Sequence, residues 1–114
     1  MTFDDGILTI CETVQVAGNG LKPRLKLSAM ESFYFGYDVL GINRYYTALR
    51  ASVQIDAVVN IPGWHEIDSR NIAVLEDGRQ FRLSLIQPQL DEDGLRITKL
   101  SITRITEHYE FLED

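Results

Sequence analysis

Apolar and polar residues alternate along most of this chain. In residues 6–17, GILTICETVQVA, the residues Leu8, Ile10, Val14 and Val16 alternate with Thr9, Cys11, Thr13 and Gln15. That is the two-residue period of a half-buried strand. The loop GNGLKP follows, and then RLKLSAMESFYFGY at 24–37, where Leu25, Leu27, Ala29, Phe33, Phe35 and Tyr37 share one face. Glu31 interrupts that face. An unpaired buried carboxylate is costly, so a bulge or a break between two strands is expected beside it.

The period changes inside NRYYTALRASVQIDAVVNI, which begins at Asn43. Tyr45, Ala48, Leu49 and Val53 fall at the three-to-four spacing of a helix face, with Asn43 placed to cap its first turn. From Ile55 the spacing returns to two, through Ala57, Val59 and Ile61, and Pro62-Gly63 stops the strand. WHEIDSR reads as a loop or a short edge piece. Asp77-Gly78 separates two β-patterned runs, the second carrying Phe81, Leu83 and Leu85, and this dipeptide tolerates the positive φ angles of a tight hairpin turn. QPQLDEDG reads as a second, longer loop before a last strand, LRITKLSITRI. There the apolar face shifts from Leu95 and Ile97 to Leu100 and Ile102 across Lys99, which predicts a bulge at Lys99. The acidic tail from about residue 106 reads as loosely held, with Tyr109, Phe111 and Leu112 available to dock on a neighbour.

These elements predict a mainly all-β chain: a small antiparallel barrel or sandwich of five or six strands with one short helix. The expected core is Leu25, Leu27, Phe33, Phe35, Ile55, Ala57, Val59, Phe81, Leu83, Leu85, Ile97 and Ile102.

Composition narrows the picture. The 114 residues suit a single domain spanning 1–114, and 45% hydrophobic with 25% charged residues is a globular balance. The formal net charge is −6, and the 11 Lys and Arg residues are dispersed with no run of three. A surface that grips nucleic acid draws its affinity from clustered cations, so avid DNA or RNA binding is not expected. An acidic wall could still surround DNA, because it repels the phosphates. No apolar run approaches the roughly 18–20 residues that span a bilayer. The opening MTFDDG is acidic where a secretory signal would be basic. The one cysteine, Cys11, lies in an apolar run and reads as a buried structural thiol in a reducing compartment.

Catalytic chemistry finds little footing. His65 and Glu66 are adjacent, so on an extended chain they point apart, and no second catalytic group is placed near them. His108 lies in the acidic tail, far from His65, and no zinc ligand set is apparent. The run DEDG at 91–94 resembles a calcium loop, but the sixth residue after Gly94 is Leu100 where a glutamate is needed. A plain hairpin loop is the better reading. No nucleophile elbow, phosphate-binding glycine loop or dinucleotide fingerprint is present, so neither an enzyme nor a cofactor is expected. What remains is Tyr and Arg outside the expected core, the residue types enriched at protein interfaces. Arg44 and Tyr46 lie off the helical stripe; with Tyr45 and Trp64 they are the interface candidates.

The segments RYYTALRASVQIDAVVNI, EDGRQFRLSLI and LDEDGLRITKLSITRI occur in that order over residues 44–105. In order and spacing they resemble the head-closure, or head–tail adaptor and joining, proteins of long-tailed bacteriophages and prophages. That family commonly carries Q-x-G after the helix, where this chain has Ala51-Ser52. The resemblance implies a small β-barrel that joins a ring of copies between the portal-side adaptor and the tail, closing the head after DNA packaging and docking the tail. It implies self-association in the virion, compatible with a monomeric free chain, and contacts to a portal or adaptor protein and to a tail-terminator or tail-completion protein. DNA would pass through without specific binding, and no membrane is involved. The setting would be the virion and the cytoplasm of the bacterial host. The loop 36–43, with Tyr37, Asp38 and Asn43, would line the channel. A tail-completion or tail-terminator protein is the nearest alternative, and a small OB- or SH3-like binding module is the next. An enzyme would need a pocket uniting His65 with distant acids.

Overall fold

A computed structural model describes residues 2–17, 23–38 and 55–112. The alternating segments form β1 (Gly6–Val16), β2 (Arg24–Tyr37), β3 (Ala57–Pro62), β4 (Ile72–Leu75), β5 (Gln80–Leu90), β6 (Arg96–Arg104) and β7 (Glu110–Phe111). Among the described residues there is no helix; the helix expected over 45–53, with Asn43, Arg44, Tyr45 and Tyr46, lies outside them. The strands hydrogen-bond in the order β1-β4-β5-β6-β3-β2, and β2 pairs again with β1. The sheet therefore closes into a six-stranded ring in which every pairing is antiparallel. Within the ring, closure removes the exposed edges that an open sheet would leave, while β1, β2 and β5 run on beyond it. The all-β class expected from the sequence is what the chain adopts.

Inside the ring sit Leu8, Ile10, Phe33, Phe35, Val59, Ile61, Ala73, Leu75, Phe81, Leu83, Leu100 and Ile102. A second buried cluster, Cys11, Leu27, Ile72 and Val74, has Ile105 and Tyr109 packed against it. Two bulges explain why some expected core positions lie elsewhere. Ile10 faces Glu31 while Cys11 faces Ala29, so Met30 has no partner on β1. Of the bulge or strand break expected beside Glu31, the bulge is what forms, and the extra residue reverses the faces of β2. Leu27 consequently joins the second cluster and Leu25 is 48% exposed, where the sequence placed both in one core with Phe33.

The other bulge is on β5. Leu83 faces Ile102 and Leu85 faces Ser101, which leaves Ser84 as the extra residue and turns Leu85 outward. Strand β6 runs without a shift along β3, from Ile102 opposite Ala57 to Ile97 opposite Pro62, so the bulge expected at Lys99 does not occur. Ile97 and Lys99 simply lie on the face opposite Leu100 and Ile102.

The first half of the expected loop 87–94 is strand. β5 pairs with β6 as far as Leu90 opposite Arg96. Pro88 is tolerated because β4 reaches only as far as Arg82 along the other edge of β5, so the missing N–H has no ladder partner to lose. The tail expected to be loose is docked through Leu112. Gln80 holds Tyr109 by two hydrogen bonds of 2.8 and 2.9 Å, and β7 pairs parallel to β2 at Lys26 and Leu27.

Candidate interaction surfaces

Trp64 stands on a corner pinned from several sides. Gly63 adopts a φ of +81°, which turns the chain after Pro62. Its N–H donates to Arg96 O at 2.8 Å and its carbonyl accepts from Thr98 Oγ1 at 2.7 Å. Trp64 Nε1 then donates to Gln89 O at 2.9 Å, and the Arg96 guanidinium lies 4.5 Å from its ring centroid. The indole is thus held by a hydrogen bond and a cation–π contact while 46% of its surface stays open. Leu90 and Leu95, on the same hairpin, are 59% and 64% exposed. A rigid aromatic ring beside exposed leucines has the make-up of an interface anchor.

Tyr37 and Asp38 end β2 at the opposite end of the ring. Tyr37 is 45% exposed, stands edge-on to Phe35 with centroids 5.3 Å apart, and its N–H donates to Asp5 Oδ2 at 2.8 Å. Asp38 does not project. Its side chain is only 10% exposed, and Oδ2 accepts from Lys99 Nζ at 3.0 Å and from Asn60 Nδ2 at 3.2 Å. This cluster ties β2, β3 and β6 together on the outer face of the ring. Sequence reasoning missed it; the signals were an asparagine inside VVNI and a lysine inside ITKLSI. Asn60 Oδ1, buried with its residue, has no hydrogen-bond partner among the described residues.

The loop after Trp64 and the Met30 bulge frame two adjoining clefts. The smaller, about 260 Å³, is lined by Ile10, Met30, Glu31, Phe33, His65, Glu66 and Ile67. It brings His65 towards Glu31 as well as Glu66. His65 Nε2 donates to Pro62 O at 2.6 Å, since a carbonyl can only accept, and its ring rests on Phe33 with centroids 4.3 Å apart. No hydrogen bond links His65 to either carboxylate. The larger cleft, about 520 Å³, lies between Glu12, Thr13 and Met30 on one side and the loop from Glu66 to Asn71 on the other. There Arg70 pairs with Asp68 at 3.0 Å, and this bond is the main reason the Asp68 carboxyl is held below its usual range. His108 is exposed in the tail.

At the β5–β6 turn, Asp91, Glu92 and Asp93 bring carboxylate oxygens within 4.8 Å of one another. Asp91 Oδ1 already accepts from the N–H groups of Asp93 and Leu95 at 2.9 and 2.8 Å, and Gly94 takes a φ of +78°. Those bonds make a self-contained hairpin turn. A scan against protein-family models found no match to this chain, and a search of curated proteins found none.

Proposed function

We propose that this chain is a structural subunit of a long-tailed phage or prophage head–tail connector. It acts as a head-closure or joining protein that forms a ring and gives the tail its docking surface. The observation that carries the reading is the Trp64 corner, a half-open indole locked by Gln89 and Arg96 beside Leu90 and Leu95. The arrangement presents a rigid surface for a protein neighbour. The segments that resemble the connector family support it further. Their described parts, 55–61, 76–86 and 90–105, hold most of β3, the turn into β5 with much of that strand, and the β5–β6 turn with β6, and these strands lie side by side in the ring in the order β5-β6-β3. A net charge of −6 suits a wall past which DNA moves without being held.

The test is reconstitution. Particles produced without this chain should accumulate as filled heads beside finished, unattached tails, and adding the purified protein should join them. Trp64→Ala should melt like the native chain and fail to join. Normal virions formed without the chain would reject the proposal. Tails of uncontrolled length would shift it to a tail-terminator role.

A further inference from the structure

β1 and β2 run on together past the ring. β4 covers the outer edge of β1 only from Leu8 to Cys11. There Asn71 Nδ2 donates to Cys11 O at 3.3 Å, and the loop preceding it diverges from β1 to form the far wall of the larger cleft. From Glu12 to Val16, among the described residues, β1 has β2 on one side and no strand on the other. Alternate residues of that stretch turn their backbone N–H and C=O groups outward.

The neighbouring open edges are protected. The outer edge of β2 in the same arm carries β7 at Lys26 and Leu27, a strand added by the chain's own tail. The edge of β5 beyond Arg82 contains Pro88, which cannot donate to an incoming strand. The stretch from Glu12 to Val16 contains no proline and, among the described residues, has no covering strand.

We propose that this edge takes up an extended, basic segment of a partner protein as an added β-strand. The segment lies antiparallel to β1, in line with β4, along the larger cleft. Charge selects the occupant. Glu12, Glu31 and Glu66 border the clefts, and Arg70, the one Lys or Arg lining them among the described residues, is already bound to Asp68. A second copy is the poorer fit. It would bring this same open edge of β1, with the same carboxylates and a like net charge of −6. Strand addition satisfies the backbone, and the carboxylates choose lysine- or arginine-bearing segments. The inference needs only the edge and its carboxylates, and stands apart from the connector reading.

The probe is a short synthetic peptide alternating valine with lysine, titrated into the full chain. Binding by fluorescence anisotropy should be accompanied by slowed amide exchange at residues 12–16. The same peptide with alternate backbone nitrogens methylated should not bind, and a valine–glutamate peptide should not either. Glu12→Lys combined with Glu66→Lys, both on exposed side chains, should weaken binding by about tenfold or more. Melting of that variant, measured alongside, should stay native. Loss of connector activity in Trp64→Ala would leave this binding intact. The proposal is overturned if the lysine peptide does not bind. Equal binding of the methylated peptide would reduce the site to a charged patch and overturn it too. Concentration-dependent dimers that protect residues 12–16 without peptide would assign the edge to a second copy and refute the proposal.

Discussion

Lys99 shows how one side chain can be misread from pattern alone and then decide local stability. It interrupts an apolar run, yet it sits on an unshifted strand opposite Asn60, with its ammonium 3.0 Å from Asp38. With side-chain exposures of 13% and 10%, the pair is mostly withdrawn from water. An ion pair in such a place adds little over a well-packed apolar pair, but removing one member strands the other. Lys99→Ala should therefore destabilise the fold by about 3 kcal/mol, read from urea unfolding. Lys99→Met combined with Asp38→Asn should recover most of that loss. If the single change has no effect on the transition, the pair is not coupled to folding.

At the scale of elements, the tail is a structural part. Tyr109 is tethered at both its N–H and its carbonyl by Gln80, and it packs on Cys11, Leu27, Ile72 and Val74. Burying a side chain of that size contributes about 2 kcal/mol, so Tyr109→Ala should lose about that much. Cys11 reports the same event. Its thiol is fully covered, and burial pushes its pKa from 9.0 to about 11. Thiolate is the reactive form, so the native chain should resist thiol reagents at about pH 8. A chain ending after Thr106 should react readily. The raised pKa also sets a sign. Below pH 9.0 the thiol is neutral in both states, and as pH climbs from 9.0 towards about 11 the unfolded state gains by ionising first. Stability should fall across that window and should not fall there in Cys11→Ala. Equal thiol reactivity in native and shortened chains would mean the tail does not cover the second cluster.

For the whole molecule, shape and charge set the expectations. The Cα envelope measures 53 × 31 × 23 Å, elongated by the β1–β2 arm and the β5–β6 hairpin beyond the closed ring. Seventeen acidic residues against eleven basic ones give a net charge of −6, which disfavours association with a duplex. Duplex DNA should bind more weakly than about 10 μM at physiological salt, a range in which even non-specific binders fall. Anisotropy with a labelled duplex checks this, and tighter binding would contradict a wall that DNA slides past.

Strands β1 to β6 apart from the end of β5, the Asp77-Gly78 turn, the stop at Pro62-Gly63 and an irregularity beside Glu31 were legible from period and turn chemistry, because each depends on neighbours within a few residues. The sequence also placed Trp64 in a polar loop or short edge piece and made it an interface candidate. Other features were decided only by tertiary pairing. Whether an apolar shift reflects a bulge in its own strand or a slip in the partner is invisible in one strand, since register belongs to the pair; hence Ser84 in place of Lys99. Strand β5 could run through Pro88 only because β4 is too short to reach it. Leu27 changed cores because Met30 reversed its face, and the tail found its place because that reversal exposed an apolar surface for Tyr109. Periodicity reports which residues share a face, while closure of the ring determines what each face meets.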